Sequence, residues 1–233
     1  LLGVLRNPRA GDSPRPPAPL TTDSRQVSAD ESFELTEMQL AYLLGRAPDG
    51  YGRVLAPHFY TEALVRQLEP ERLHHAWEVL LDRHPMLRAT ITEDTRQRVG
   101  DLVDVPLDLL DQRGLSGTEQ QRRRERIREE RSHRQLPVSR APMLRMLAVR
   151  LDEEHWRVHL DLDLLFYDAD SAVILMEELA ALYENPQTEL PELEGSFATW
   201  VRTDTPSDEA KRYWAAAIRN LPDPVVPPVQ KPD

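Results

Sequence analysis

The chain has 233 residues, with 29 Lys and Arg against 40 Asp and Glu and a formal net charge of −11. That length can bury a core for one large domain or two small ones, and the acidic balance argues against a general nucleic-acid binder, which carries a basic surface. The absence of cysteine excludes disulfides, thiolate metal sites and a cysteine nucleophile.

Residues 1–31 open on a short apolar stretch, Leu1-Leu-Gly-Val-Leu-Arg6, too short for a signal peptide. They continue as a Pro-, Ser-, Asp- and Arg-rich segment with no apolar period, the pattern of a flexible linker. No run approaches the roughly 18 apolar residues of a membrane helix, and a cytoplasmic protein is the expectation. The first residue is Leu and both ends are Pro-rich, so the chain reads as a piece of a longer polypeptide.

The folded part is expected over residues 32–220. Thr36 is a good N-cap for a helix from Glu37 to Leu44 that stops at Gly45. Val54 to Val65 reads as one strand or two short ones. A helix from Glu71 to Asp82 carries Leu73, Trp77, Leu80 and Leu81 on one face. Met86–Thr92 and Gln97–Val103 look like a hairpin. Thr118 to Gln135 is a charged helix with seven Arg and four Glu between 119 and 134. Its i,i+4 pairs, Glu119 with Arg123 and Arg126 with Glu130, suit a solvent-facing helix better than a nucleic-acid arm.

Met143–Leu151 and Trp156–Leu162 form a second expected hairpin around Asp152-Glu-Glu154. Helices follow at 172–183 and 207–220. The last 13 residues, 221–233, hold five prolines and read as a linker. Strands alternate with helices and hairpins occur, so the class is α/β or α+β, with a mixed sheet and flanking helices.

The chemistry concentrates at Asp163-Leu-Leu-Phe-Tyr-Asp168-Ala-Asp170-Ser171, where the strand from Trp156 runs into the helix from Ala172. Asp170 or Ser171 suits a helix N-cap. Asp163 alternates in phase with His159 and Asp161, so one face of the strand is polar, as a channel or cleft floor would be. A carboxylate buried there needs a cationic partner, and Arg88 and Arg145, both on expected strands, are the candidates. His159 is either a hydrogen-bonded core histidine or a site residue. Neither HExxH nor another zinc-ligand spacing occurs, nor a Gly-rich phosphate loop, nor a GxSxG elbow.

Four stretches carry a resemblance. They are Phe33-Glu-Leu-Thr-Glu-Met-Gln-Leu-Ala-Tyr-Leu-Leu-Gly-Arg46, Arg83-His-Pro-Met-Leu-Arg88, Asp108-Leu-Leu-Asp-Gln-Arg-Gly-Leu115, and Asp163-x4-Asp168-x2-Ser171. In that order they resemble the motifs of the heterocyclization domains of nonribosomal peptide synthetases, a branch of the condensation-domain superfamily. Leu221-Pro-Asp-Pro224 is similar to the proline segment leading into the second half of such domains. Amide-forming condensation domains have His-His-x3-Asp-Gly at the same turn, and aligning on Asp168 puts Leu164 where the acid-base histidine would be.

The resemblance implies the N-terminal lobe of a two-lobed, chloramphenicol acetyltransferase-like fold, a two-layer α/β sandwich, with residues 221–233 as a linker towards a C-terminal lobe. It implies that an upstream acyl or peptidyl thioester is joined to a carrier-bound Cys, Ser or Thr, then cyclised with loss of water to a thiazoline or oxazoline. Upstream and downstream carrier proteins present both substrates on phosphopantetheine arms, so no cofactor or metal is bound by the domain itself. The C-terminal lobe and an adenylation domain of the same synthetase are the other implied partners. Neither nucleic acid nor membrane is expected.

Asp163, Asp168 and Ser171 are the implied catalytic residues, with Arg88, Arg145 and His159 in support. Asp168 is expected to pair with Arg88 or Arg145 and brace the turn while Asp163 faces the channel. A non-catalytic docking module and an ordinary amide-forming condensation domain are the alternatives.

Overall fold

The computed structural model describes residues 32–46, 56–203 and 206–221. The linker expected at 1–31, the linker expected at 221–233 apart from Leu221, and the start of the strand expected from Val54 lie outside the described residues.

Helix α1 (Glu37–Leu44) begins with a reciprocal capping box: the Thr36 hydroxyl accepts from Gln39 N–H, and the Gln39 side chain accepts from Thr36 N–H. Strand β1 (His58–Arg66) follows, then α2 (Pro70–Arg83), which opens on a proline whose missing N–H costs nothing in a first turn. A 3₁₀ turn over Pro85–Arg88 leads to the short pair β2 (Ala89–Ile91) and β3 (Gln97–Val99). Both strands are shorter than the sequence suggests: the 3₁₀ turn takes Met86–Arg88 out of the expected first arm, and the second stops at Val99 rather than Val103. Phe33 bridges to Gln97 beside them.

Next come β4 (Leu107–Asp111), α3 (Gly117–Ser132), β5 (Leu144–Arg150) and β6 (His155–Asp163). Helices α4 (Ala169–Glu184), α5 (Phe197–Thr203) and α6 (Asp208–Arg219) complete the described chain. Strand β4 and helix α5 go beyond the sequence reading, which had Asp108–Leu115 as a motif without assigning it a strand. No helix among the described residues is long and apolar enough to cross a membrane.

The main sheet has the order β1-β6-β5-β4, antiparallel except for the parallel β4–β5 pair. Parallel neighbours need a long crossover, and α3 lies within it. The sheet is therefore mixed, as expected. Its two faces differ sharply because β6 alternates without a break. Trp156, Val158, Leu160 and Leu162 point into an apolar core with Leu73, Trp77, Leu80 and Leu81 of α2 and Leu175, Leu179 and Leu182 of α4. Each large apolar side chain buried this way contributes roughly 1.5–3 kcal/mol, so this interface holds the lobe together.

The opposite face carries Arg157, His159, Asp161 and Asp163. Helix α3 keeps most of its residues in solvent, as its composition suggests, and is pinned to this face by two arginines. Arg131 is 4% exposed and pairs with Asp161 at 2.9 Å, while Arg128 pairs with Glu62 of β1. The helix packs on the sheet through guanidinium groups rather than an apolar stripe.

Candidate functional site

The end of β6 is held from three sides before its side chains are considered. Asp163 N–H donates to the Met143 carbonyl at 3.0 Å, Leu164 N–H to Pro57 at 3.0 Å, and Phe166 N–H to Asp163 at 3.3 Å. The turn is thereby fixed between the flanking strands and the start of α4.

Asp163 is 1% exposed. One carboxylate oxygen accepts from Leu165 N–H at 3.1 Å, and the other pairs with the Arg46 guanidinium at the end of α1. Arg46 also donates to the Leu136 carbonyl at 3.1 Å. From the same helix, buried Gln39 donates to the Leu165 carbonyl at 3.1 Å and exchanges hydrogen bonds with Gln97. Two residues of the first motif therefore clamp the turn that carries the fourth. Neither was singled out from sequence, although both lie in the stretch whose register carried the resemblance.

Asp168 is the exposed N-cap of α4. One of its oxygens accepts from Ser171 N–H at 2.8 Å and from the Ser171 hydroxyl at 2.6 Å. The hydroxyl bond, then the backbone bond, hold this carboxyl below the usual carboxylate range. It is ionised at neutral pH, open to solvent and fixed in orientation.

The expected roles are thus reversed. Asp163 is the arginine-paired brace, and Asp168 presents a free charge. The cap is Asp168 rather than Asp170 or Ser171. Arg88 does not pair with Asp168: its guanidinium donates to the Leu81, Asp82 and Gly100 carbonyls, closing the end of α2. Arg145 donates to the Pro142 and Leu144 carbonyls at 2.7 and 2.6 Å. Both arginines are used up by backbone oxygens.

His159 is a buried core histidine, 1% exposed, with Nδ1 2.7 Å from the Tyr60 hydroxyl. Burial, then the positive charges of Arg131, Arg157, Arg128 and Arg124, push its imidazole down to about 4. It is neutral at pH 7. A depressed folded-state value against about 6.5 when unfolded means stability present above pH 6.5 and lost as the pH falls towards 4. The wild type is expected to lose about 3 kcal/mol more than His159→Gln over that window. Asp161, pushed up by burial, works in the opposite sense in both proteins and drops out of the comparison. Urea unfolding at intervals from pH 7 to 4 measures it, and parallel slopes for the two proteins would rule out this role for His159.

Residues 55–233 match the family model described as the condensation domain. Over 205 residues the chain is 35% identical to the phenyloxazoline synthase MbtB of Mycobacterium sp. (strain MCS), covering 86% of this chain and 17% of that protein. It is 37% identical over 212 residues to the pyochelin synthetase PchE of Pseudomonas aeruginosa, covering 85% and 14%. The EpoB cyclization-docking bidomain from Sorangium cellulosum superposes with a TM-score of 0.78 at 32% identity, over 86% of this chain and 41% of that one. The chain spans less than a fifth of the length of these curated relatives.

Proposed function

The chain belongs to the condensation-domain family, and from that premise we propose that it forms the N-terminal part of a heterocyclization domain of a nonribosomal peptide synthetase. The reaction has two stages. The amine of a carrier-bound Cys, Ser or Thr attacks an upstream acyl or peptidyl thioester, forming an amide and releasing the upstream thiol. The side-chain thiol or hydroxyl then adds to the new amide carbon, and the carbonyl oxygen departs as water to leave a thiazoline or oxazoline.

The observation that carries this reading is the turn at the end of β6. Leu164 stands where an amide-forming relative would have a titratable imidazole, and the nearby His159 is buried and neutral. What the turn offers solvent instead is the Asp168 carboxylate with the Ser171 hydroxyl locked onto it. A carboxyl held below its usual range is a poor proton store. It serves better as a fixed anion that accepts a hydrogen bond from the acceptor amine or its side-chain nucleophile. Asp163 and Arg46 keep that anion in place from behind. Carrier proteins supply both substrates, and a second lobe supplies the other wall of the cleft.

Mass spectrometry of the carrier-bound product of the complete module tests the reaction type. The expected product is lighter by one water than the amide. An amide that keeps its water would assign the domain to ordinary condensation, and unreacted carriers would assign it to docking. The 233-residue chain with the same loaded carriers is expected to give no ring, because placing two tethered substrates takes both walls.

A further inference from the structure

Between α3 and the polar face of the sheet lies a cavity of about 110 Å3, with Gln112, Gln120, Arg124, Arg157 and His159 among its lining residues. That volume holds several waters or one small polyatomic ion. No carboxylate among the described residues lines it. Three buried nitrogens at its wall, Arg124 Nε, Gln112 Nε2 and His159 Nε2, have no hydrogen-bond partner among the described residues. Gln112 and His159 are 2% and 1% exposed, so these groups do not find solvent by turning outward.

His159 Nε2 is a donor on chemical grounds. The Tyr60 hydroxyl lies 2.7 Å from His159 Nδ1, and with that hydroxyl donating, Nδ1 is the acceptor. The neutral imidazole then carries its own proton on Nε2. Charge points the same way. Arg124, Arg128 and Arg157 gather here against one carboxylate, Glu62, which is paired with Arg128 and lies 3.6 Å from Arg157. Burial and the neighbouring guanidinium groups depress Arg157 as well as His159, as expected of a pocket with surplus positive potential.

Each buried unpaired donor costs roughly 1–3 kcal/mol. Water would satisfy the donors and leave the charge; an anion answers both. We propose that this cavity binds a small oxyanion of the phosphate class, held by Arg124 and Arg157 with Gln112 Nε2 and His159 Nε2 donating. The site is separate from the turn, since His159 and Asp163 are about 13 Å apart along β6. It does not depend on the reaction assigned above.

Calorimetric titration of the chain in phosphate-free buffer tests this, with orthophosphate in one arm and phosphopantetheine in the other. Saturable one-to-one binding is expected, weakened about tenfold or more by Arg124→Gln and by Arg157→Gln. Arg113→Gln, which alters a surface arginine paired with Asp111, is expected to bind as the wild type does. Tighter binding of phosphopantetheine identifies a phosphate monoester as the natural occupant, and tighter binding of orthophosphate identifies the free ion. Circular dichroism checks that each variant is folded. Should Arg157→Gln unfold, Arg124→Gln carries the test alone, because Arg124 Nε has no partner among the described residues to lose. Absence of saturable binding, or equal weakening in Arg113→Gln, overturns the proposal and leaves a water-filled cavity.

Discussion

Asp168→Ala in the complete domain is expected to lower ring formation about a hundredfold or more, while Asp168→Asn restores the fold and not the rate. The two variants separate the two jobs of this side chain. As the N-cap of α4 it accepts from Ser171 N–H and the Ser171 hydroxyl, and replacing such a cap by alanine costs about 0.5–2 kcal/mol. Asparagine caps a helix as well as aspartate does, so Asp168→Asn should unfold within a few tenths of a kcal/mol of wild type. It has no charge, however. If the fixed anion is what the reaction needs, kcat falls in both variants and thermal stability falls in one. Because hydrogen bonding holds Asp168 ionised, it contributes no titration to the rate near neutral pH. Wild-type ring formation by Asp168→Asn would show that the cap alone matters and would remove Asp168 from the chemistry.

What could be read from the sequence was local. The N-cap expected at Thr36 forms, its hydroxyl accepting from Gln39 N–H three residues on. The periodicity of α2 put Leu73, Trp77, Leu80 and Leu81 on one face, and all four are in the core. The turn at Asp152 closes as its composition suggests, with its carboxylate accepting from Glu154 and His155 N–H. The alternation of β6 gave the sheet its two faces correctly. Each of these signals lies within a few residues of the feature it specifies.

The missed features are contacts between distant parts of the chain. A buried Asp163 calls for a cation, but sequence does not rank one arginine above another. Arg46 lies 117 positions away and reaches Asp163 because α1 is anchored by Gln39 to the same turn. Arg88 and Arg145 were nearer to hand on expected strands, and both instead satisfy backbone carbonyls. The inward ion pairs of α3, a helix that is otherwise exposed as expected, were missed for a related reason. A helix without an apolar stripe is ordinarily solvated, yet here the sheet face beneath it is itself polar, so arginines could pack inward against Glu62 and Asp161.

Arg46→Met is expected to be the more damaging single change at the Asp163–Arg46 pair, with a loss of about 3–5 kcal/mol and a Tm lowered by roughly 6–20 °C. It strands a carboxylate that is 1% exposed, whereas Asp163→Asn strands a guanidinium that is 10% exposed and still accepts from Leu165 N–H. Pairing the changes removes both charges together. The double variant should therefore be more stable than Arg46→Met alone, with a coupling of roughly 2 kcal/mol. Additive single effects would mean that the two side chains do not depend on one another. The same double variant decides what Asp163 is for. As a brace, it is replaceable by a neutral pair that keeps the turn in place, and a complete domain carrying both changes would still make the ring. If a stably folded double variant condenses but does not cyclise, Asp163 acts on the substrate and the division of labour between the two aspartates is wrong.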